Sequence, residues 1–210
     1  MKRFLRPRNV MFDIGANFGY YSLTLAHNLK GECTVYAFEP FPFTYERLML
    51  NVQINHMNSC VRPYKMGLSD TVESARMRVR FDNNTGATYV TRKGNSGVPI
   101  HLTTVDSFCV ENDISAVDVM KIDVEGFEPR VLKGGEEIIG DTNPSILLEL
   151  SPACLRRAGS SIDDLADMLS YFGYSLYFPN RDKLVPLTHL PKEPHQLNAF
   201  CFPRALTFPD

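Results

Sequence analysis

Short apolar runs alternate with segments of helical period along this 210-residue chain. Asn9–Ile14, Thr34–Phe38 and Val61–Met66 read as strands. Val117–Ile122 and Ser145–Leu150 are the apolar runs expected of central parallel strands. Helices are expected between them. One runs from Tyr20 to about Leu29 and is closed by Gly31. The next starts at Pro42, a first-turn proline, and runs to about Asn55 with Tyr45, Leu48 and Val52 along one face. Shorter ones cover Val105–Glu111 and Pro129–Lys133, the latter closed by Gly134 and Gly135. Ser160 and Ser161 stand three residues before Asp163 and Asp164, a capping pattern. The helix they open buries Ile162, Leu165, Leu169 and Phe172 and ends at Gly173. Tyr174–Phe178 and Asn198–Phe202 are the last strands, joined by a Pro-rich connection from Pro179 to Pro194. Strand-helix alternation of this kind predicts a doubly wound α/β fold with a mostly parallel sheet, and the length fits one domain over residues 1–210.

One segment breaks the pattern. Ala75, Met77, Val79 and Phe81 alternate with Arg76, Arg78 and Arg80, so the strand Ala75–Phe81 has one apolar and one arginine face. A loop rich in Asn, Gly and Thr follows, with short strands expected at Thr88–Thr91 and Ile100–Thr103. The arginine face reads either as a charge-protected edge or as a contact for a substrate phosphate or carboxylate.

Composition narrows the field. A net charge of −2 gives no global drive toward nucleic acid or acidic membrane, so no nucleic-acid partner is expected. The five cysteines (Cys33, Cys60, Cys109, Cys154 and Cys201) are odd in number, widely spaced and without a CxxC pair, which excludes a disulfide framework or zinc knuckle. The basic start has no apolar run behind it, and no stretch approaches a membrane span, so a soluble cytoplasmic protein is expected. The histidines, His27, His56, His101, His189 and His195, form no metal spacing, and no metal site is expected.

The chemistry concentrates at strand ends. Asp13-Ile14-Gly15-Ala16-Asn17-Phe18-Gly19 lies between the first strand and the first helix. Glu39, followed by Pro40, closes the second strand 24 residues after Gly15, where a carboxylate can accept ribose hydroxyls. Asn17 occupies the place of the second glycine of a dinucleotide fingerprint, the glycine that lets backbone approach a pyrophosphate. That favours a nucleoside ligand without phosphates over NAD, and S-adenosylmethionine (SAM) is such a ligand. Asp13 either bonds the amino-acid part of SAM or holds the turn.

A second carboxylate cluster, Lys121-Ile122-Asp123-Val124-Glu125-Gly126-Phe127-Glu128, lies at the carboxyl end of a central strand, where open α/β sheets bind ligands. Asp123 and Glu125 suit general-base work or the grip of a polar substrate. Lys121 and Glu125 read equally as a local pair, and Glu128 as a helix start. Glu149 ends the next strand and is expected at the cleft, since a carboxylate in so apolar a strand must be satisfied. Asn84, Gly86 and His101, in and beside the Asn-rich loop, are the remaining substrate-binding candidates.

These motifs resemble the FkbM-type methyltransferases of the class I SAM-dependent superfamily. The resemblance rests on the Asp13–Gly19 turn, Phe38-Glu39-Pro40, Gly67-Leu68-Ser69-Asp70, the Lys121–Glu128 run, Val131-Leu132-Lys133-Gly134 and Leu148-Glu149-Leu150, in family order over roughly residues 9–151. It implies a Rossmann-like seven-stranded sheet with the last strand antiparallel. It implies SAM as methyl donor and a hydroxyl acceptor on a sugar, glycan or secondary metabolite. By carry-over, Asp13, Gly15, Ala16, Asn17, Gly19 and Tyr20 line the SAM pocket, Glu39 and Pro40 hold the ribose, and Ser69 and Asp70 lie near the adenine. Asp123 and Glu125 face the reacting centre, and Asp123 is the first candidate for the base. About eight residues precede the first strand, where many relatives carry more helices, which leaves the pocket more open or closed by a partner subunit such as a second copy of the chain. A nitrogen acceptor, RNA included, and a SAM-binding module without catalysis are the alternatives. Against the first, there is no Asn-Pro-Pro-Tyr type of motif; against the second stands the Asp123-Val124-Glu125 cluster.

Overall fold

The computed structural model describes residues 5–79, 88–91, 96–180, 183–187 and 197–204. The first half runs β1 (Val10–Ile14), α1 (Tyr20–Asn28), β2 (Thr34–Phe38), α2 (Pro42–Ile54), β3 (Val61–Tyr64), β4 (Gly67–Leu68), β5 (Glu73–Val79), β6 (Thr88–Thr91), β7 (Val98–Thr103) and α3 (Val105–Glu111). The second runs β8 (Val119–Ile122), α4 (Glu128–Lys133), α5 (Glu136–Thr142), β9 (Ser145–Leu150), α6 (Pro152–Ala158), α7 (Ile162–Tyr171), β10 (Tyr174–Asn180), β11 (Lys183–Pro186) and β12 (Leu197–Pro203).

The main sheet has the order β11-β10-β12-β9-β8-β1-β2-β3. Pairing is parallel from β3 through β2, β1 and β8 to β9. β12 is antiparallel to both β9 and β10. This is the expected seven-stranded arrangement with one antiparallel strand, and it carries an eighth. β11 folds back antiparallel on β10 from inside the Pro-rich connection, which sequence alone reads as loop. Helices cover both faces because side chains alternate. On β1 and β2, Met11, Val35 and Ala37 join a core with Leu25, Leu48 and Val52 of α1 and α2. Phe12, Tyr36 and Phe38 join the opposite core with Phe108 of α3. The same alternation on β8 sends Val119 to the first core and Met120 and Ile122 to the second.

The second core is built around one ring. Phe108 is 1% exposed and meets Phe12, Tyr36, Phe38 and Tyr64 edge-on, with centroids 5.8, 5.7, 4.7 and 4.8 Å away. Edge-to-face contacts of this kind add to the area that the rings bury.

The segment that breaks the α/β pattern forms a separate four-stranded sheet, ordered β4-β7-β5-β6. Its apolar face buries Ala75, Met77, Ile100 and Leu102, with Phe41 and Val90 packed against it. The alternate residues point the other way. Arg76 donates to the Gly97 carbonyl at 2.7 Å, and Arg78 donates to the Ser96 carbonyl at 3.2 Å and to the Ser96 hydroxyl. The expected capping pattern forms as a capping box. Ser161 accepts from the Asp164 amide at 3.0 Å, and Asp164 accepts from the Ser161 amide at 2.8 Å. The helices α5 and α6 have no counterpart in the sequence reading. Both are seven residues long, and α5 carries a glycine and only two buried side chains, too little periodic signal to read. No helix among the described residues is long and apolar enough to cross a membrane.

Truncating the central ring should be costly. Phe108→Ala is expected to lower the unfolding free energy by about 3–5 kcal/mol. Val110→Ala, two residues on and 76% exposed, should change it by no more than about 0.5 kcal/mol. Urea titrations followed by circular dichroism measure both.

Candidate active site

The strand order reverses beside β1, because β2 follows on one side and the crossover to β8 lies on the other. The carboxyl ends of parallel strands leave a crevice at such a point. A cleft of about 400 Å³ opens there, within the range of small-ligand sites. Gly15, Ala16, Asn17, Phe18, Tyr20 and Tyr21 form one wall, and Glu39 and Pro40 the next. Lys121, Asp123, Glu125 and Glu149 lie at the ends of β8 and β9. Gly67, Leu68 and Leu102, with Met77 and Val90 from the apolar face of the small sheet, close the far side.

Lys121 sits at the base of this cleft, 5% exposed. Register places it directly beside Asp13 on the neighbouring strand, both facing α1. Its Nζ donates to the Gly15 carbonyl at 2.9 Å and lies 3.2 Å from Asp123 Oδ2 and 3.6 Å from Asp13 Oδ1. The face of Tyr21 covers it, 5.1 Å from ring centroid to Nζ. Burial pulls the ammonium pKa down, but the Asp13 and Asp123 carboxylates outweigh it, and the net shift is upward. Burial likewise raises the Tyr21 hydroxyl, so the phenol stays protonated.

Asp13 is 1% exposed, and its Oδ2 accepts from the Ser22 amide at 2.9 Å and the Ser22 hydroxyl at 2.6 Å. Ser22 is in the first turn of α1, whose own N-cap, Gly19, has no side chain to do this. Asp13 therefore caps α1 from the neighbouring strand, and its Oδ1, with no hydrogen-bond partner, relies on Lys121 at ion-pair distance. Gly15 is needed for close approach. At φ 77°, a Cβ there would stand 1.9 Å from the Asp123 carbonyl oxygen, so the ends of β1 and β8 touch through backbone alone.

Glu39 closes β2 at 5% exposure. Its Oε1 accepts from the Phe41 amide at 2.9 Å and the Thr44 hydroxyl at 2.7 Å, and its Oε2 accepts from the Asn17 amide at 2.9 Å. Burial raises the carboxyl pKa against the pull of these donors. Two lone pairs per oxygen leave one acceptor site on Oε2, beside the cleft wall.

The turn after β8 is strained and tightly seated. Glu125 has φ 54° and Gly126 φ 104°. A Cβ on Gly126 would meet the Cys154 carbonyl oxygen of α6 at 2.3 Å. Left-handed non-glycine residues cost free energy and concentrate at functional sites. Glu128, at 3% exposure, stitches the turn together, its Oε1 accepting from the Val124 amide at 3.1 Å and the Gly126 amide at 3.2 Å. Burial pushes its carboxyl up to about 7 despite those donors.

A family model described as a methyltransferase FkbM domain matches residues 13–176. The chain belongs to the FkbM methyltransferase domain family. The hexuronic acid methyltransferase AglP of Haloferax volcanii is 29% identical over 164 residues, which cover 77% of this chain and 62% of that protein. The 31-O-demethyl-FK506 methyltransferase FkbM of Streptomyces tacrolimicus is 28% identical over 162 residues, covering 63% of this chain and 62% of its own length. The chain thus spans less than two thirds of these relatives. A solved FkbM methyltransferase from Methylobacillus flagellatus KT aligns at TM-score 0.60 and 21% identity, over 94% of this chain and 45% of that one. A SAM-dependent O-methyltransferase from Thermotoga maritima aligns at TM-score 0.54 and 11% identity, over 97% and 62%. Both structures share the Rossmann-like fold.

In this FkbM-family chain the cleft brings together most of the residues expected from sequence. Gly15, Ala16, Asn17, Tyr20, Glu39, Pro40, Asp123, Glu125 and Glu149 all line it. Asp13 and Gly19 stand behind the lining, as the cap and the N-cap residue of α1. Ser69 and Asp70 are also behind it. Ser69 is fully buried, and Asp70 is paired with Arg130 of α4 at 3.2 Å, while Gly67 and Leu68 line the cleft in their stead. His101 is exposed on β7, on the face opposite Leu102, and does not line the cleft. Arg76 and Arg78 are likewise on the face opposite Met77, away from it. Asn84, Gly86 and Arg80 lie outside the described residues. Lys121 pairs with Asp123, not with Glu125. No group of three or more His, Cys, Asp or Glu among the described residues is placed to hold a metal ion. Sequence reading missed Tyr21 and the apolar wall from the small sheet. Met77 was visible as part of an apolar face, but nothing in the sequence said that this face would meet the end of β2.

Glu128 gives a pH test. Its folded pKa of about 7 lies above the ordinary 4.5, so between those values the folded chain keeps a proton that the unfolded chain releases. Its contribution is full below about pH 4.5 and is lost as pH rises to about 7, a change on the order of 3 kcal/mol. Glu128→Gln keeps an acceptor for the Val124 and Gly126 amides and removes the charge. Chemical denaturation from pH 4.5 to 8 should show wild type losing stability relative to the variant across this window. Parallel curves would mean that Glu128 ionises freely.

Proposed function

We propose that this chain is a SAM-dependent methyltransferase that methylates a hydroxyl on a sugar, glycan or secondary metabolite, with Asp123 as general base. The observation that carries the reading is Glu39. It is a nearly buried carboxylate at the end of β2, held by three donors, with one acceptor site left beside a nucleoside-sized cleft. Membership of the FkbM family supports the donor, and the names of two relatives, a hexuronic acid methyltransferase and a 31-O-demethyl-FK506 methyltransferase, support a small-molecule or sugar acceptor.

The residues present fit SAM. Glu39 would hold the ribose, the Gly15–Asn17 backbone would lie along the amino-acid part, and Leu68, Leu102 and Met77 would cover the adenine. Bound SAM supplies a methyl group already activated on a sulfonium. The protein then has to align an acceptor, exclude water and take one proton. Phe18, Tyr20 and Tyr21 narrow the cleft on one side and Phe127 on another. Lys121 holds Asp123 Oδ2, which fixes the carboxylate while its side chain, 30% exposed, still faces the cleft. An acceptor hydroxyl placed there would pass its proton to Asp123 as its oxygen gains the methyl group.

The test is a panel of hexose glycosides and polyol macrolactones assayed with methyl-labelled SAM. Wild type should transfer label to at least one member. Asp123→Asn keeps the shape of the side chain and should lower kcat by about 100-fold or more while the SAM Kd stays within about twofold. Equal losses in both would make Asp123 a cofactor ligand and remove it as the base.

A further inference from the structure

Glu125 is a cleft carboxylate that the base assignment leaves without a task, and its surroundings are more ordered than a solvent-facing side chain requires. Cys154, buried in α6, donates its thiol to Glu125 Oε2 at 3.0 Å. Arg157, one turn later, donates Nη2 to Cys154 Sγ at 3.3 Å. The direction of this chain is fixed by chemistry. A guanidinium has only donors, so the sulfur must accept from Arg157, and its own hydrogen is left to point at Glu125. Burial and the neighbouring Glu125 raise the thiol pKa, so the hydrogen stays on the sulfur. Arg157 is itself steadied, its guanidinium 5.5 Å over the ring of Tyr89 in β6. The backbone agrees, with Glu125 in the left-handed region and Gly126 pressed against the Cys154 carbonyl. One oxygen of Glu125 is thereby committed to the protein, while the residue lines the cleft two positions from Asp123.

We propose that Cys154 and Arg157 are positioning residues that aim Glu125 at a second hydroxyl of the acceptor, so that the acceptor is a vicinal diol of the kind a pyranose ring presents. This rests on the methyltransferase reading above. Asp123 takes the proton of the reacting hydroxyl, and Glu125, reached from the same turn, accepts a hydrogen bond from the neighbouring one. A carboxylate held in advance loses little freedom on binding, and orientation of the ring is what the reaction needs from the protein.

The experiment uses methyl pyranosides of gluco, manno and galacto configuration, methyl-labelled SAM, and the full chain with S-adenosylhomocysteine binding measured on the same preparations. Label should go to a ring hydroxyl with a hydroxyl beside it, and the deoxy analogue lacking that neighbour should lose about 10-fold or more in kcat/KM. Glu125→Gln should lose a similar factor on the full substrate and little further on the deoxy analogue. Cys154→Ala should raise the acceptor KM about 10-fold with kcat and cofactor affinity nearly unchanged, and Cys154→Ser, which keeps donor and acceptor, should restore it. Arg157→Ala, at an exposed position, should act in the same direction without disturbing the core. Three results would overturn the proposal: no transfer to any pyranoside by protein that binds S-adenosylhomocysteine, additive losses for Glu125→Gln and the deoxy analogue, or an unchanged acceptor KM in Cys154→Ala. Failure of folded wild type to bind S-adenosylhomocysteine would instead overturn the reading beneath it.

Discussion

A buried ammonium group ties the carboxyl ends of the central strands together. Lys121 reaches from β8 to the Gly15 carbonyl at the end of β1, to Asp13 on the same strand and to Asp123 in the turn beyond its own. The ammonium and the Asp13 carboxylate are nearly out of solvent and stable only as a pair, while Asp123 reaches the same cation from the more open side. Removing the cation would leave Asp13, already short of one hydrogen-bond partner, as an uncompensated buried charge. The arrangement also fixes geometry. Asp13 caps α1, Gly15 lets the turn touch Asp123, and Asp123 is held where a substrate can reach it. The ends of β1 and β8 are joined through this one side chain.

Beside that centre, one turn gathers several unusual features. Residues 124–128 carry two positive φ values, a buried carboxylate bonded to two backbone amides, and a close backbone contact with α6. Under the proposed methyl transfer, rigidity of this kind would serve to orient the acceptor. The small sheet contributes from the opposite side. Its apolar face meets the cleft, while Arg76 and Arg78 point away, so this wall is apolar and the charged groups stand at the strand ends.

Much of this was legible in the sequence, and the limits are physical. Strand-helix alternation gave the doubly wound sheet, because central strands are apolar on both faces and helices on one. Glu39 and the Asp123–Glu125 turn could be placed because a polar residue ending an apolar strand has few places to go. Register and long-range packing were not legible. Lys121 facing Asp13 depends on the pairing of β1 with β8, which no local pattern encodes. Ser69 and Asp70, expected near the adenine, stand behind the cleft lining, because the chain turns after Leu68, buries Ser69 and pairs Asp70 with Arg130 of α4. β11 was read as loop because prolines at its end obscured the pairing with β10. His101 was weighted for its proximity in sequence to the Asn-rich loop, yet strand alternation turns it to the solvent side.

The reading proposed for the cleft at the end of β1 and β2 is that it holds SAM through Glu39. Titration calorimetry of wild type and Glu39→Ala with S-adenosylhomocysteine, with NAD as the comparison ligand, tests it most directly. Wild type should bind S-adenosylhomocysteine, Glu39→Ala should lose about 10-fold or more in affinity, and NAD should not bind. Folded wild type that ignores S-adenosylhomocysteine, or a Glu39→Ala variant that binds it as tightly as wild type, would contradict it.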